Sequence, residues 1–268
     1  ARRRGYSPQL VARLQELMQR GHAVMYRPPL PRWQRMFEFF LADMPRLVRA
    51  EAGVMWASLA LFAIPLVVAF VGVQVKPELI HTVMGAQQVA EMEAMYDPEA
   101  ARLGRAAESD LMMFGHYIMN NISIGLRTFA SGLLAGVGPV LTLAFNGVII
   151  GGVAGHLQAA GHGEPFWRFV AGHAAFELSA IVIAGGAGLR LSLDLIAPGR
   201  RRRVDALVEG GRRGARLCLG VFVMLVAAAF IEAFWSSIGW IPAWGKYSVG
   251  GALWVLVIIS AHRINPGF

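Results

Sequence analysis

The chain has 268 residues, 56% of them hydrophobic and 16% charged, with a mean hydropathy of +0.49 and a formal net charge of +8. Soluble domains carry about 45–50% apolar and about 25% charged residues, so this balance excludes an ordinary soluble domain and points to an integral membrane protein. The apolar runs are continuous rather than alternating, which excludes a β-barrel and predicts an all-α, polytopic membrane bundle of about six transmembrane helices. The positive charge clusters beside apolar spans, the pattern of cytoplasmic loops, so nucleic acid is not expected as a partner. The single cysteine, Cys218, lies inside an apolar run and allows no intrachain disulfide.

Residues 1–50 read as cytoplasmic and interfacial amphipathic helices, and 51–268 as the transmembrane bundle. No signal peptide follows Arg2, Arg3 and Arg4, and the sequence is read as lacking upstream residues. Ser7 and Pro8 start a helix that Gly21 is expected to end. After the proline break at 28–31, Trp33, Met36, Phe37, Phe40, Leu41 and Met44 recur at the helical period. Such a helix lies on a membrane surface or packs on the protein itself, with Pro45 kinking it towards the first span. That span is 54–73, and Arg46 and Arg49 at its start place the N-terminus in the cytoplasm.

The segment 76–112 is polar and acidic and belongs outside, with helical periodicity over about 79–95. Its methionines, Met84, Met92, Met95, Met112 and Met113, with His81 and His116, offer soft ligands for copper(I), but their irregular spacing fits helix packing better. Two spans follow, about 118–136 and 139–157, broken at Gly136-Val137-Gly138-Pro139; a re-entrant hairpin is the open alternative. Gly147, Gly151 and Gly155 recur every four residues, with Gly132 and Gly136 on the preceding span, so other helices can approach the backbone closely. A phosphate-binding glycine loop is excluded, since no Lys-Ser/Thr follows.

The loop 161–167 is external, and Trp167–Leu195 reads as one spanning helix with His173 and Glu177 on one face, four residues apart. Gly185, Gly186 and Gly188 follow, then Arg190 at its inner end. Residues 190–216 form an arginine-rich cytoplasmic loop suited to anionic lipid or a docked partner. The fifth span, about 217–235, carries Glu232. Trp240, Trp244 and Tyr247 mark the outer interface, and a sixth span, about 248–262, returns the C-terminus to the cytoplasm.

A set of stretches in fixed order resembles one family: MPRLVR at 44–49, MYDPEA at 95–100, YIMNNISIGLRTFASGLLAGVG at 117–138 and FNGVIIGGVAG at 145–155. PFWRFVAGHAAFELSAIVIAGGAGLRL at 165–191 and IEAFWS at 231–236 complete it. Together they are similar to the stage II sporulation protein M (SpoIIM-like, DUF95) integral membrane proteins, from about residue 30 to the end. Many members carry Pro where this chain has Gly172. The resemblance implies a bacterial inner-membrane protein. The family's namesake is a scaffold for peptidoglycan-degrading enzymes, and other members are encoded beside MoxR-type AAA+ ATPases.

Three functions are weighed. A non-catalytic scaffold would use Asn120, Asn121, Arg127, Asn146, His173, Glu177, Arg190 and Glu232 as an intramembrane polar network, Glu177 meeting Arg127, Asn121 or Asn146. Glu177→Ala would then destabilise the protein strongly. A transporter or channel would use His173, Glu177 and Arg127 as a polar site with aqueous access. An enzyme is not expected: there is no His-Glu-x-x-His, Ser179 faces away from His173, and zinc held by His173, Glu177 and His156 has no spacing support. No cofactor or metal is expected. The expected partners are the lipid membrane and envelope proteins such as cell-wall hydrolases or an AAA+ ATPase, with a homodimer through the small-residue faces as an open alternative.

Overall fold

The computed structural model describes residues 7–25, 32–98 and 110–262. The N-terminal arginines, the break at 28–31, the charged residues of 99–109 and Arg263 lie outside the described residues. Among the described residues there is no strand.

Ala1–Phe40 is one compact unit and Leu41–Phe268 another. The first holds helices α1 (Pro8–Met25) and α2 (Arg32–Glu38). The Ser7 hydroxyl accepts the Leu10 N–H at 3.4 Å, and Pro8 is the first helical residue. Gly21 does not end α1, which runs four residues further. A helical glycine costs only about 1 kcal/mol, and without a Schellman turn to favour, it is carried along. The apolar stripe residues Leu14, Leu17 and Met18 are exposed.

The second unit contains α3 (Met44–Ala50), α4 (Ala52–Val75), α5 (Ala86–Met95), α6 (Asp110–Ala130) and α7 (Val137–Ala159). It continues with α8 (Gly163–Val170), α9 (Ala174–Ile196), α10 (Arg203–Ile231) and α11 (Ala243–His262). A π turn, Glu232–Ser236, prolongs α10. Among the described residues, five helices are long and apolar enough to cross a membrane: α4, α7, α9, α10 with its π turn, and α11. In α4 the apolar residues lie all round the helix, yet only 17% of its most apolar stretch is buried; in α11 the share is 11%. Apolar surface left uncovered on this scale is stable in lipid and not in water. At the other extreme stands α9, with 56% buried, packed against α4, α6, α7, α10 and α11. It is the centre of the bundle.

Six spans were expected and five qualify by apolarity. The helix that falls short is α6, because Asn120, Asn121, Arg127 and His116 dilute its apolar residues. It nevertheless runs beside α9 and α10 along their length. Its Tyr117 packs with Phe169 and Ala233 at one end, and Gly125 abuts Leu225 and Val221 midway. The 3-10 turn that follows it, Ser131–Leu134, reaches Ser192, whose hydroxyl donates to the Gly132 carbonyl at 2.8 Å at the other end.

Several boundaries differ from expectation. The Trp167–Leu195 stretch is not one helix: α8 begins at Gly163, inside the expected loop, and the chain turns at 171–173 before α9. The break sits where Gly172 is pressed against Trp235 and Ile231, too closely for a Cβ. The expected 190–216 loop shrinks to 197–202, since α9 continues to Ile196 and α10 starts at Arg203. High charge density marked a helix end with i,i+4 pairs rather than a loop. The α6–α7 break falls at Ala135 (φ 50°) and Gly136 (φ 88°), both left-handed, while Gly138 and Pro139 lie in the first turn of α7, where proline costs no hydrogen bond.

Glycines set the helix spacing. A Cβ at Gly147, Gly151 or Gly155 of α7 would fall on the carbonyl oxygen of Phe62, Leu66 or Phe70 of α4, respectively. These are successive turns of both helices, so the two backbones touch along the seam. Gly132 and Gly188 meet backbone to backbone in the same way between α6's end and α9, and Gly185 and Gly186 admit Leu143, Ser58 and Met55. Gly136 differs: its nearest foreign atom is 3.9 Å away, and its left-handed φ is what requires glycine.

Candidate functional site at the His173 end

The turn at 171–173 makes His173 the cap residue just before α9, with Glu177 in the first turn of the helix. Their side chains stay on one face, His173 Nε2 standing 3.7 Å from Glu177 Oε2. The π turn at the end of α10 carries the third group: Glu232 and Ser236, four residues apart on one face, are both buried. His173 Nδ1 lies 3.1 Å from Ser236 Oγ, and its ring meets Phe169 edge-on at 5.4 Å. One ligand-capable atom from each of His173, Glu177 and Glu232 lies within 4.8 Å of the other two. His173 is 3% exposed and Glu232 9%, while the Glu177 side chain keeps 22%.

From α6, Asn121 lies beside Glu232 and is buried; its Oδ1 accepts from Asn120 Nδ2 at 3.0 Å. Asn121 Nδ2 and Glu232 Oε2 are buried without a hydrogen-bond partner among the described residues. Tyr96 covers the cluster from the end of α5, packed edge-on against Phe166 and Phe169. Burial, and then the neighbouring Glu232, hold its phenol well above the usual tyrosine range, so it stays protonated. Tyr96 is itself pinned: its carbonyl lies 3.2 Å from His162 Nδ1, and Glu93, one turn earlier, meets His156 Nε2 at 2.7 Å.

The expected network is only partly assembled. His173, Glu177, Glu232 and Asn121 converge. Arg127 does not join them: it is exposed on α6, on the turn away from Asn121, with no partner among the described residues. Asn146 bonds back to the Thr142 carbonyl of its own helix at 2.7 Å, and Asn120 is exposed. His156 is engaged with Glu93, away from the zinc set considered with His173. Met92 packs with Ala154, Leu157 and Phe166, a core role rather than a copper ligand's.

Glu177 therefore has no cation that depends on it, which reverses the expectation for its removal. In chelator-containing detergent buffer, Glu177→Ala is expected to shift the thermal midpoint by less than about 3 °C, since one of two neighbouring carboxylates is lost and no partner is orphaned. A drop beyond about 10 °C in a thermal-shift assay would restore the structural role.

The opposite end holds a second polar cluster, of which only Arg190 was singled out in the sequence. Asp194, 2% exposed, takes hydrogen bonds on Oδ1 from Arg190 (3.2 Å) and Arg201 (2.9 Å). Arg201 also reaches Glu209 (2.7 Å), Arg213 joins Glu209 (2.5 Å) to Glu51 (3.4 Å), and Glu51 returns to Arg190 (3.6 Å). Hydrogen bonds donated to Glu209 and Asp194 raise the Arg201 pKa further, so the guanidinium is permanently charged. Glycine at 210 lets α10 rest against the Asp194 carboxylate. The signals were the spacing of Arg190 with Asp194 and of Glu209 with Arg213, four residues each. Two further cations stand out only in the fold: buried Lys246 donates to the Ser236 carbonyl at 2.5 Å, and half-buried Arg168 to the carbonyls of Gly239 and Ile241. Both satisfy backbone groups freed where α10 ends.

The N-terminal motif stretch has a matching role. Met44 fills the space at Gly220, and Arg49 donates to the Ser260 carbonyl (3.0 Å) near the end of α11.

No curated protein and no solved structure matches the chain. A family model described as stage II sporulation protein M matches residues 58–237, which run from within α4 through the π turn and include the His173 cluster and all of the Asp194 cluster except Glu51. With that match over well over half of its length, and with five apolar spans, the chain belongs to the stage II sporulation protein M family of membrane proteins.

Proposed function

We propose that the protein is a non-catalytic scaffold of the bacterial cytoplasmic membrane, with both termini in the cytoplasm, that assembles envelope proteins such as cell-wall hydrolases or an AAA+ ATPase. The observation that carries this reading is the glycine seam. Where α7 touches the α4 backbone at Gly147, Gly151 and Gly155, and the end of α6 touches α9 at Gly132 and Gly188, the helices cannot slide or part without losing close packing. A core of that kind suits a rigid platform more than alternating access. The arginines at the Asp194 end support a cytoplasmic position for that end. Exposed apolar residues such as Trp56, Ile64 and Val68 on α4 and Val255 and Ile259 on α11 leave surface for lipid, a partner's helix or a second copy.

The transporter reading keeps one observation in its favour, the buried His173–Glu177–Glu232 cluster, but Arg127 no longer supplies it with an anion-binding cation. Gentle detergent extraction from the native membrane, followed by mass spectrometry, separates the two. Co-purification of a hydrolase or an ATPase in fixed ratio is the expected result. Recovery of the protein alone, with solute flux in liposomes that Glu177→Gln abolishes, would overturn the scaffold.

A further inference from the structure

We propose that His173, Glu177 and Glu232 form a binding site for one divalent transition-metal ion, of the zinc or manganese class. The three residues come from two separate helices, and the chain has distorted both to bring them together: α9 is interrupted immediately before His173, and α10 takes a π turn at Glu232. Their donor atoms, one imidazole nitrogen and two carboxylate oxygens, lie within 4.8 Å of one another. A tetrahedral ion at about 2.0–2.2 Å from each donor needs them roughly 3.4 Å apart. His173 Nε2 and Glu177 Oε2, at 3.7 Å, are already close to that, and a rotation about the flexible Glu232 side chain closes the remainder.

Independent features point to a ligand rather than to structural pairing. Glu232 is nine-tenths buried; the Asn121 amide beside it gives its carboxylate some support, but Oε2 makes no hydrogen bond of ordinary geometry among the described residues. A buried carboxylate oxygen left unpaired is costly and calls for an explanation. Arg168 and Lys246 are engaged by backbone carbonyls. Two carboxylates thus face each other in a largely dry setting, and a divalent cation would neutralise both. The histidine is also arranged as metal-bound histidines are: Nδ1 is engaged by Ser236 and the ring is held by Phe169, which leaves Nε2 facing the carboxylates. One nitrogen and two oxygens favour zinc or manganese over copper(I), which prefers sulfur, and over magnesium, which prefers oxygen alone. The Glu177 side chain keeps 22% exposure, and a fourth position is left for water or for a partner's group.

The test uses the full chain purified in detergent without a polyhistidine tag, stripped with a chelator and then given Zn2+ or Mn2+ alone. We expect close to one ion per chain after gel filtration, measured by elemental mass spectrometry. We also expect visible absorption bands with Co2+ in place of Zn2+, and a rise in thermal midpoint on adding the metal that Mg2+ does not reproduce. Glu232→Gln, which keeps size and shape, should lower the affinity at least tenfold and abolish the bands; Glu209→Gln, in the polar cluster at the opposite end, should leave both unchanged. Substoichiometric metal in the wild-type chain, or equal binding by Glu232→Gln, would overturn the site. The wild-type titration decides the matter even if the variant does not fold. Its failure leaves the scaffold untouched, because that reading rests on co-purifying proteins.

Discussion

Gly151→Leu is expected to be the most damaging single substitution in the bundle, lowering the thermal midpoint in detergent by more than about 10 °C or abolishing monodisperse protein. The reason is geometric. At Gly151 even a Cβ would overlap the Leu66 carbonyl, and the obstacle is backbone, which cannot rotate away as a side chain can. The whole of α7 would have to retreat from α4, taking Gly147 and Gly155 out of contact as well, and lipid cannot offset lost helix packing by a hydrophobic effect. Gly151→Ala should show a smaller loss in the same direction. Gly53→Ala in α4, where nothing lies within 4 Å, should be neutral. Equal behaviour of the position 151 and position 53 variants in size-exclusion and thermal-shift measurements would mean that the seam is not the packing surface.

The second large effect is expected at Asp194. Replacing it with alanine leaves Arg190 beside only Glu51 and removes the acceptor that ties the 197–202 turn to α9, so a fall in thermal midpoint of about 5–10 °C is expected. The loss is smaller than for a fully buried pair because Arg190 and Arg201 keep 29% and 37% exposure and water screens them. Asp194→Asn should recover part of it by keeping a hydrogen-bond acceptor. High salt should narrow the gap between wild type and variant, whereas a purely steric effect would be indifferent to salt.

What could be read from the sequence was what depends on neighbours along one helix. The apolar runs of α4, α7 and α11 announce themselves because lipid asks for continuous apolar surface, and the four-residue glycine spacing of α7 is visible because it repeats on one face. His173 and Glu177 were visible for the same reason. Glu232 was noticed only as a charge in a span, since nothing in a linear reading joins it to Glu177 across two helices and a π turn. The break before α9 was hidden because Gly172 lies in apolar sequence, and its cause, the Trp235 ring, sits more than sixty residues away. Asp194, Arg201 and Glu209 were read as loop charges because their clustering resembles solvated sequence, and only the fold shows Asp194 to be buried.

The polarity of α6 bears on the order in which the protein is made. A helix carrying two asparagines and an arginine is poorly held by lipid alone, and the neighbours that cover its Gly125 and Tyr117 belong to α8, α10 and the π turn, all synthesised later. The α4–α7 seam needs no residue made after α7, whereas the surroundings of α6 are complete only once α10 and its π turn have been made.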